Sequence, residues 1–592
     1  LQEGRITPEL AVGVQDVLGT GVWGAEYLVA NKAFGPLDIS IGMGWGRFAD
    51  RAAFSNPAAQ LFDRFSERDP DFGLGGTVQL DSFFAGPDVG LFGGVAYDLD
   101  RYNLRLLAEY NSDQYRREVS KGTVEDPSPI SYGLEWSGID AVTLGVSHQF
   151  GEQWAFSVSS SMDSTERPEK LRPAPYISAL QYLEADVEAE NYDFNSWFDR
   201  LLYDMRLSGL NLVEVSTNPV VTEATLVVQN YQYPLAADAV ERTLTLAQNN
   251  LPATITDLNV VLQEYGISPI TINYRRFDSE TGWVDSSGNS INILGGRELQ
   301  NPTERTPVQY GRVSLSANIG TRLQFFDPDD PLRYQLLLRL GASAPLGLGW
   351  WARGSYAVDI ANSFDGITRT SDSVLPHVRS DSGLYLKEGT SGLESVYFEK
   401  RDNLASDIFY RLYGGVLEEM YSGVGGELLF QPFRSRLAFG FSANWVKQRD
   451  YDKSFNHLDY DTITAFASVY WATPWYNYDV ALHGGQYLAK DIGATLEVRR
   501  TFDNGWQVGA WATLTNVPFE EFGEGSFDKG LYFQIPLQKM LGINTRMTYV
   551  NALRSIQRDG GQRLENFSGN LWYDLRSARY DALDNNRDRM VP

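Results

Sequence analysis

Strict alternation of apolar and polar residues is the feature of this sequence that most limits its fold. Between residues 101 and 110 one side of an extended chain carries only tyrosine, leucine and alanine, while Arg101, Asn103, Arg105 and Glu109 point the other way. The same period-two pattern recurs at residues 39–45, 313–319, 436–445, 463–471, 492–498 and 506–514. Because successive side chains of a strand point to opposite faces, each segment predicts a β-strand with one apolar face.

Helices that cross a membrane are excluded. Such a helix needs about 20 consecutive, mostly apolar residues. The longest uncharged run, residues 462–478, has 17 residues and contains Pro474. The alternation therefore leaves two classes of protein, a soluble antiparallel sandwich and a membrane β-barrel.

Three features favour the transmembrane barrel. Several strands run for about ten residues, which suits a tilted membrane strand. Their second faces are rich in Gly, Ser, Thr and Asn and poor in Lys, as in a polar lumen. Aromatic residues cluster at predicted strand ends, at Trp350-Trp351, residues 471–478 and Trp572-Tyr573. A sheet that faces lipid must close, because unpaired edge groups cost several kcal/mol each in hydrocarbon.

The alternation falls into two parts, which we assign to an N-terminal barrel (1–167) and a C-terminal barrel (301–592). We expect about eight to ten strands in the first part and about twelve to fourteen in the second. We favour two barrels in one chain, although periodicity alone also allows two halves of one large barrel. Polar segments at residues 49–72, 114–129 and 360–394 are expected outside the membrane or inside a lumen as plugs.

Between the two parts, residues 168–300 predict an inserted α/β domain. Helices are expected at residues 195–207 and 236–249, and strands at 179–187, 210–216, 223–231, 255–262 and 267–274. This β-α-β-β-α-β order is that of the ferredoxin-like split unit. Its helices are too short and too charged to cross a membrane, so we expect a periplasmic domain.

Composition and motifs exclude several functions. The chain has 76 acidic and 50 basic residues, a formal net charge of −26 that does not suit nucleic-acid binding, and no cysteine. P-loop, zincin and serine-hydrolase signatures are absent from the sequence. The acidic clusters at 327–330 and 584–588 lack EF-hand spacing, and we expect neither a metal nor a cofactor. We therefore predict a protein that is not an enzyme.

The first residues have no apolar stretch of a signal peptide, so we expect the numbering to begin after a processing site or at an expression boundary.

A set of short motifs, in order along nearly the whole chain, carries a resemblance to a known family. They include AVGVQDVLGTG at 11–21, EYLVANK at 26–32, SVLPHVRSD at 373–381, LEEM at 417–420, YLAKD at 487–491, GEGSFDKG at 523–530 and RDGG at 558–561. The chain resembles the YjbH family, also called GfcD. These are outer-membrane proteins encoded with the machinery for exopolysaccharide and group 4 capsule.

The resemblance implies an outer-membrane β-barrel that assists secretion of an extracellular polysaccharide in a Gram-negative bacterium. Expected partners are the polysaccharide, outer-membrane lipid or lipopolysaccharide, and other export proteins that dock on the periplasmic insert. Family members are often lipoproteins, but this sequence has no cysteine to carry the lipid. It also departs from barrel habit at its C-terminus, where about twenty residues follow Trp572-Tyr573.

Candidate polysaccharide contacts are polar residues expected to face the lumen or to lie in a matched loop. They are His377, Arg379, Arg436, Asn444, Glu497 and Arg499. For each of them, ordinary lumen polarity is the alternative explanation. Three other functions stay open: a general diffusion porin, a barrel-borne enzyme that modifies the glycan, and a structural partner of another export channel.

Overall fold

The computed structural model of the chain divides into two compact units, one that contains the first sheet and one that contains the rest. It describes residues 4, 7–16, 23–68, 83–120, 122, 124–139, 142–161, 192–277, 283–284, 288–296, 302–306, 313–325, 332–347, 349–366, 371, 373–522, 527–554 and 558–592. Both predicted domain boundaries, at residues 167 and 300, lie outside the described residues, as do the predicted strand at 179–187 and the acidic cluster at 327–330.

The first unit contains an antiparallel sheet of nine strands. These are β1 (Glu9–Gln15), β2 (Ala25–Phe34), β3 (Leu37–Gly46), β4 (Ala52–Ser55), β5 (Asp88–Leu99), β6 (Leu104–Tyr110), β7 (Ile130–Ile139), β8 (Val142–Gln149) and β9 (Gln153–Ser160). Short helices α1 (Pro57–Leu61) and α2 (Arg116–Ser120) lie in its connections. Strands pair in chain order except for β4, which adds to β5 beside β3.

Two of the predicted polar segments fold back onto this first sheet. Arg68, from segment 49–72, pairs with the buried Glu26 of β2 at 2.7 Å. Glu118, from segment 114–129, pairs with Arg47 at 3.0 Å. These connections are therefore packed parts of the first unit.

The second unit begins, among the described residues, with the α/β part. Its elements are α3 (Trp197–Leu207), β10 (Leu210–Thr217), β11 (Glu223–Asn230), α4 (Ala236–Asn250), β12 (Asp257–Glu264), β13 (Ile267–Arg275), β14 (Trp283–Val284), β15 (Ser290–Gly295) and β16 (Glu304–Arg305). The two helices and four main strands confirm the predicted elements to within two residues. The strand order is β14-β15-β13-β12-β11-β10-β16, with only β11 and β12 parallel.

That order differs from the predicted ferredoxin-like order. In a split unit a further strand lies between the two parallel strands that a helix connects. Here β11 and β12, which α4 connects, pair directly from Glu223↔Asp257 to Gln229↔Gln263. Both strands are buried along most of their length, as is usual for parallel strands. The predicted inward residues of α4 (Ala239, Val240, Thr243, Leu244 and Ala247) are all buried.

The rest of the second unit is built on an antiparallel sheet of 13 strands, paired in chain order. They are β17 (Ser314–Phe325), β18 (Leu332–Gly347), β19 (Trp350–Asn362), β20 (Gly392–Ala405), β21 (Ile408–Val416), β22 (Tyr421–Phe430), β23 (Leu437–Arg449), β24 (His457–Ala472), β25 (Tyr478–Gln486), β26 (Ile492–Thr501), β27 (Gln507–Thr515), β28 (Asp528–Pro536) and β29 (Thr548–Arg554). The short helices are α5 (Ser382–Glu388), α6 (Phe519–Phe522), α7 (Gln538–Leu541), α8 (Leu571–Asp574) and α9 (Tyr580–Asp584).

The prediction of a mainly β chain with large antiparallel sheets is confirmed. The described strands number nine and 13, which lie within the predicted ranges but are odd, whereas bacterial single-chain barrels have even strand numbers. Among the described strands neither large sheet closes on itself, since no pairing joins β1 to β9 or β17 to β29. Closure into a barrel therefore stays a prediction. No helix in the described part of the chain is long and apolar enough to cross a membrane.

Burial in the 13-stranded sheet is the inverse of that in a soluble protein. The apolar rows form an exposed outward face; on β23, Phe441 is 54% exposed, and on β24, Ile463 is 58% exposed. The opposite, inward face is buried although many of its side chains are polar. Its residues include Glu399, Arg411, Tyr413, Glu427, Ser442, Asn444, Thr464, Ser468, Tyr470, Asp479, His483, Thr495 and Arg499.

Candidate functional site

The inward face is covered by the end of the chain. We call residues 558–592 the C-terminal segment; it follows β29 and contains α8, α9 and two turns of 3-10 helix but no strand. Its first half crosses the inward face, and its second half reaches the α/β part, where Ala578, Leu583 and Met590 join the core. The residues after Trp572 therefore continue this covering segment.

Side chains of the sheet donate hydrogen bonds to the backbone carbonyls of this segment. Arg411 Nη1 donates to the Asn566 carbonyl at 2.8 Å. Tyr413 Oη and Asn444 Nδ2 both donate to the Phe567 carbonyl at 3.0 Å. Two residues further along the segment, the Gly569 carbonyl accepts a hydrogen bond from Tyr470 Oη at 2.8 Å.

Carboxylates bind backbone N–H groups of the same segment. Leu571 N–H donates to Glu427 Oε2 at 2.9 Å, and Glu565 N–H donates to Glu418 Oε2 at 2.8 Å. A buried backbone without regular structure must find side-chain partners, because an unpaired polar group costs about 1–3 kcal/mol. The inward face supplies those partners from five neighbouring strands and hairpins.

Ion pairs and aromatic contacts add to these hydrogen bonds. Asp574 of the segment binds Arg401 of β20 at 2.6 Å, and Arg576 binds Asp479 of β25 at 3.0 Å. The Trp572 ring is completely buried and stacks on Tyr470 with centroids 4.9 Å apart. The expectation that Trp572 marks a membrane interface is therefore wrong, because its ring is buried against the Tyr470 ring of β24.

A polar cluster, which we call the clamp, holds the start of the C-terminal segment. It consists of Arg379, Glu418, Asp491, Asp528 and Asp559. Asp559 Oδ1 accepts from the backbone N–H of Arg379 at 2.8 Å, and the Arg379 guanidinium pairs with Glu418 at 2.6 Å. Asp491 Oδ2 accepts from Gly561 N–H at 2.8 Å, while Asp528 Oδ1 accepts from Gln562 Nε2 at 3.0 Å.

Burial raises the pKa of two clamp carboxyls that lie in hairpin turns. Desolvation raises the pKa of Glu418, although the Arg379 guanidinium opposes that shift. Desolvation likewise raises the pKa of Asp491, against the hydrogen bond from Gly561 N–H. In both carboxyls desolvation outweighs the opposing partner, and the Arg379 guanidinium and the Gly561 N–H limit the upward shift of the pKa.

The clamp unites motifs that are far apart in the sequence. Each of its five residues comes from a different one of the stretches that carry the family resemblance, namely 373–381, 417–420, 487–491, 523–530 and 558–561. Nothing in the sequence of these stretches indicates a common location. The sequence signal for the clamp is only that the five stretches belong to one ordered set of motifs.

Four of the six predicted polysaccharide contacts lie against the C-terminal segment. Asn444 and Arg379 donate to its carbonyls, the latter through Nη2 to the Arg563 carbonyl at 2.8 Å. Glu497 lies 3.9 Å from the Arg563 guanidinium, and Arg499 stacks over Tyr573 at 4.5 Å. Their polar groups are thus used within the protein.

The side chains of the other two predicted contacts make their hydrogen bonds elsewhere. His377 is in the loop before α5, where Nδ1 lies 3.1 Å from Asp381 Oδ1. Arg436, just before β23, donates to the Thr473 carbonyl at 3.1 Å. Among the described residues, no side-chain hydrogen bond joins either of these two residues to the four above.

One serine and one histidine come together on the inward face. Ser468 Oγ lies 2.8 Å from His483 Nδ1, and both side chains are buried beneath Gly569. Among the described residues no carboxylate binds the other ring nitrogen, as the orienting acid of a hydrolase triad does. In the same part of the chain, no group of three His, Asp or Glu side chains could hold a metal ion.

The fold and this site define a class of protein: large antiparallel sheets with apolar outward faces, and a polar inward face that the chain itself covers. A family model described as YjbH, exopolysaccharide biosynthesis protein YbjH, matches residues 1–575. The chain is also 30% identical over 587 residues to the "Uncharacterized lipoprotein YjbH" of Escherichia coli strain K12, with 95% of this chain and 81% of that protein covered.

The chain belongs to the YjbH family, as its motifs predict. Its function therefore relates to exopolysaccharide. The E. coli relative is named a lipoprotein, which is consistent with a location of this protein in a Gram-negative cell envelope.

Proposed function

We propose that this protein is a non-enzymatic outer-membrane component of exopolysaccharide or capsule secretion. In this role its sheets form transmembrane barrels, two in one chain, that assist passage of the polysaccharide. The α/β part then lies in the periplasm and is available to other export proteins.

The exposed outward face is the observation that carries this proposal. Soluble monomers rarely expose contiguous apolar patches of more than a few hundred Å². Here large apolar side chains are exposed on every strand from β21 to β28. They include Leu412, Leu428, Phe439, Phe441, Trp445, Ile463, Val469, Leu482, Leu496, Val508 and Leu514. Hydrocarbon chains of lipid, or of lipopolysaccharide, are the solvent that such a surface requires.

The covered inward face favours an assisting role over that of a general diffusion porin. A porin needs an open aqueous lumen. On the inward face of this sheet, hydrogen bonds and ion pairs to the C-terminal segment extend from β20 to β28. The pair Ser468 and His483 does not support a barrel-borne enzyme, because both side chains are buried and no acid in the described part of the chain binds the other ring nitrogen of His483.

The direct test deletes the gene in its native host and measures surface polysaccharide and the location of the protein. We expect loss or strong reduction of the secreted polymer, restoration by the wild-type gene, and protein in the outer-membrane fraction. The matched control restores the gene with the exposed substitution Asp402→Asn, which leaves the buried contacts intact.

Unchanged surface polysaccharide in the deletion strain would defeat the secretion role. Stable conductance of the purified wild-type protein in planar bilayers would favour the porin instead. Recovery of the protein from the soluble fraction without detergent would remove the membrane part of the proposal.

A further inference from the structure

The inward face under residues 566–576 has the composition of a carbohydrate site. Its donors are Arg411, Tyr413, Asn444 and Tyr470, and its acceptors at the same place include the Glu427 carboxylate. A sugar hydroxyl is both donor and acceptor, so alternating donors and acceptors suit a row of hydroxyls. The rings of Tyr413 and Tyr470 offer the apolar faces on which sugar rings stack.

The C-terminal segment occupies this face without satisfying all of it. Ser442 Oγ and His483 Nε2 are buried on the inward face with no hydrogen-bond partner among the described residues. The same is true of Ser568 Oγ and Trp572 Nε1 in the segment itself. A buried polar atom without a partner is unfavourable, so a hydroxyl-rich ligand that supplies the missing hydrogen bonds can compete with the segment.

We propose that residues 566–576 are a displaceable occupant of a polysaccharide-binding groove on the inward face of the 13-stranded sheet. The inference rests on the proposed role in secretion and names the site and its regulation. In the resting protein the segment blocks the groove. When it lifts, the freed donors and carboxylates bind the hydroxyl groups of the exported chain.

Residues 566–576 are anchored on both sides, so they can leave the inward face and return to it. The clamp holds the residues before them. After them, Arg589 binds Asp238 of α4 with Nε and Nη2 both at 2.8 Å from the carboxylate oxygens. The middle part therefore can leave the face while the segment stays attached to the sheet and to the α/β part.

The first release variant carries Asp574→Asn and Arg576→Gln, which remove the ion pairs to Arg401 and Asp479. Its matched control carries Asp584→Asn and Arg587→Gln. That control makes the same two chemical changes in the same segment, but its ion pair lies within the segment and does not touch the sheet.

The second release variant is Gly569→Val. A Cβ at this position lies 2.5 Å from Tyr470 Oη, and the backbone φ of +97° also disfavours a side chain. Its control is Gly542→Val, which has a similar positive φ of +65° but nothing within 4 Å of the new Cβ. Comparing the two separates displacement of the segment from backbone strain alone.

Each variant is purified in detergent and compared with wild type by hydrogen exchange, planar-bilayer conductance and binding of short dextran and alginate oligosaccharides. We expect faster exchange at residues 566–576, new conductance, and roughly tenfold tighter oligosaccharide binding in both release variants. Both controls should match wild type. Adding Asn444→Leu to a release variant should abolish the gain in binding while exchange stays fast.

Tighter binding of alginate alone assigns the groove to acidic polymers, and tighter binding of dextran assigns it to neutral ones; either supports the proposal. Faster exchange without any gain in binding overturns it, as does unchanged exchange in both release variants, because the segment is then a permanent part of the fold. The deletion experiment tests the secretion role separately. If a strain without the gene still exports its polymer, the secretion role is wrong even if the groove binds sugar in vitro.

Discussion

Glu399 of β20 is completely buried on the inward face, where it contacts three arginine side chains. Arg353 lies at 2.6 Å, Arg411 at 2.9 Å and Arg401 at 3.1 Å from its carboxylate oxygens. Removing one member of a buried ionic group leaves the others without compensation, which costs more than the group contributes as a whole. Glu399 is therefore a sensitive point of the second unit.

We predict that Glu399→Gln destabilises the protein by about 3–5 kcal/mol. The neutral amide cannot compensate the buried guanidinium groups of Arg401 and Arg411 or the partly exposed one of Arg353. Denaturation in detergent micelles, followed by the heat-dependent mobility of the folded form, measures the change. Asp402→Asn on the same strand is the control, since its ion pair with Lys400 is long, at 3.7 Å, and partly exposed, so its loss should cost less than about 1 kcal/mol.

The buried carboxyl of Asp204, on α3, is expected to make the stability of the α/β part depend on pH. Burial raises its pKa, against the hydrogen bond from Asn250 Nδ2 at 2.8 Å and the charges of Arg242 and Arg200. A carboxyl with a raised pKa contributes stability that is complete below its ordinary pKa of about 4. That contribution is lost as the pH rises through the raised value.

We expect Asp204→Asn to remove this pH dependence. The asparagine stays neutral and can still accept the hydrogen bond from Asn250. Hydrogen exchange in α3 and α4 should therefore be slower in the variant than in wild type at neutral pH, and similar in both at acidic pH. Slower exchange in wild type at neutral pH would contradict the assignment.

For the polar residues of the inward face, the sequence predicts the face on which each one lies but not the group that it binds. Alternation placed Asn444 and Arg499 opposite the apolar row, and both do lie on the inward face. Nothing local indicated that Asn444 binds a carbonyl 123 residues later in the chain. A hydrogen bond over such a separation leaves no periodic trace in the sequence.

Elements with a clear period were predicted well. The helices of the α/β part and the long strands follow from their 3.6- and 2-residue patterns, because each pattern records which side faces a different environment. For the strands, the pattern specified two different faces, and the structure shows that the apolar face is the exposed one.

A matched pair of substitutions tests what that exposed face meets. Phe441 lies in an outward row of β23, and Phe455 is exposed in the turn between β23 and β24. We predict that Phe441→Lys lowers stability in lipid vesicles by about 2–4 kcal/mol, while Phe455→Lys has little effect. Equal, small effects at both positions would indicate that water, and not hydrocarbon, surrounds the sheet.

At the scale of the whole molecule, the C-terminal segment connects the 13-stranded sheet to the α/β part. Leu583 of α9 is completely buried in the same core as α3 and α4. We predict that Leu583→Ala costs about 2–5 kcal/mol and speeds hydrogen exchange in α4. Amides of β23, which Leu583 does not contact, serve as the internal control and should keep their exchange rates.

The sequence by itself determined the strands, the two helices of the α/β part and the family, because periodic side-chain environments and ordered motifs are properties of short stretches. Tertiary structure alone decided that β11 pairs directly with β12, that Trp572 is buried, and that five distant motifs form one clamp. The physical reason is that irregular backbone is stabilised by whichever side chains reach its N–H and C=O groups. Those side chains come from across the whole sheet, where no local pattern records them.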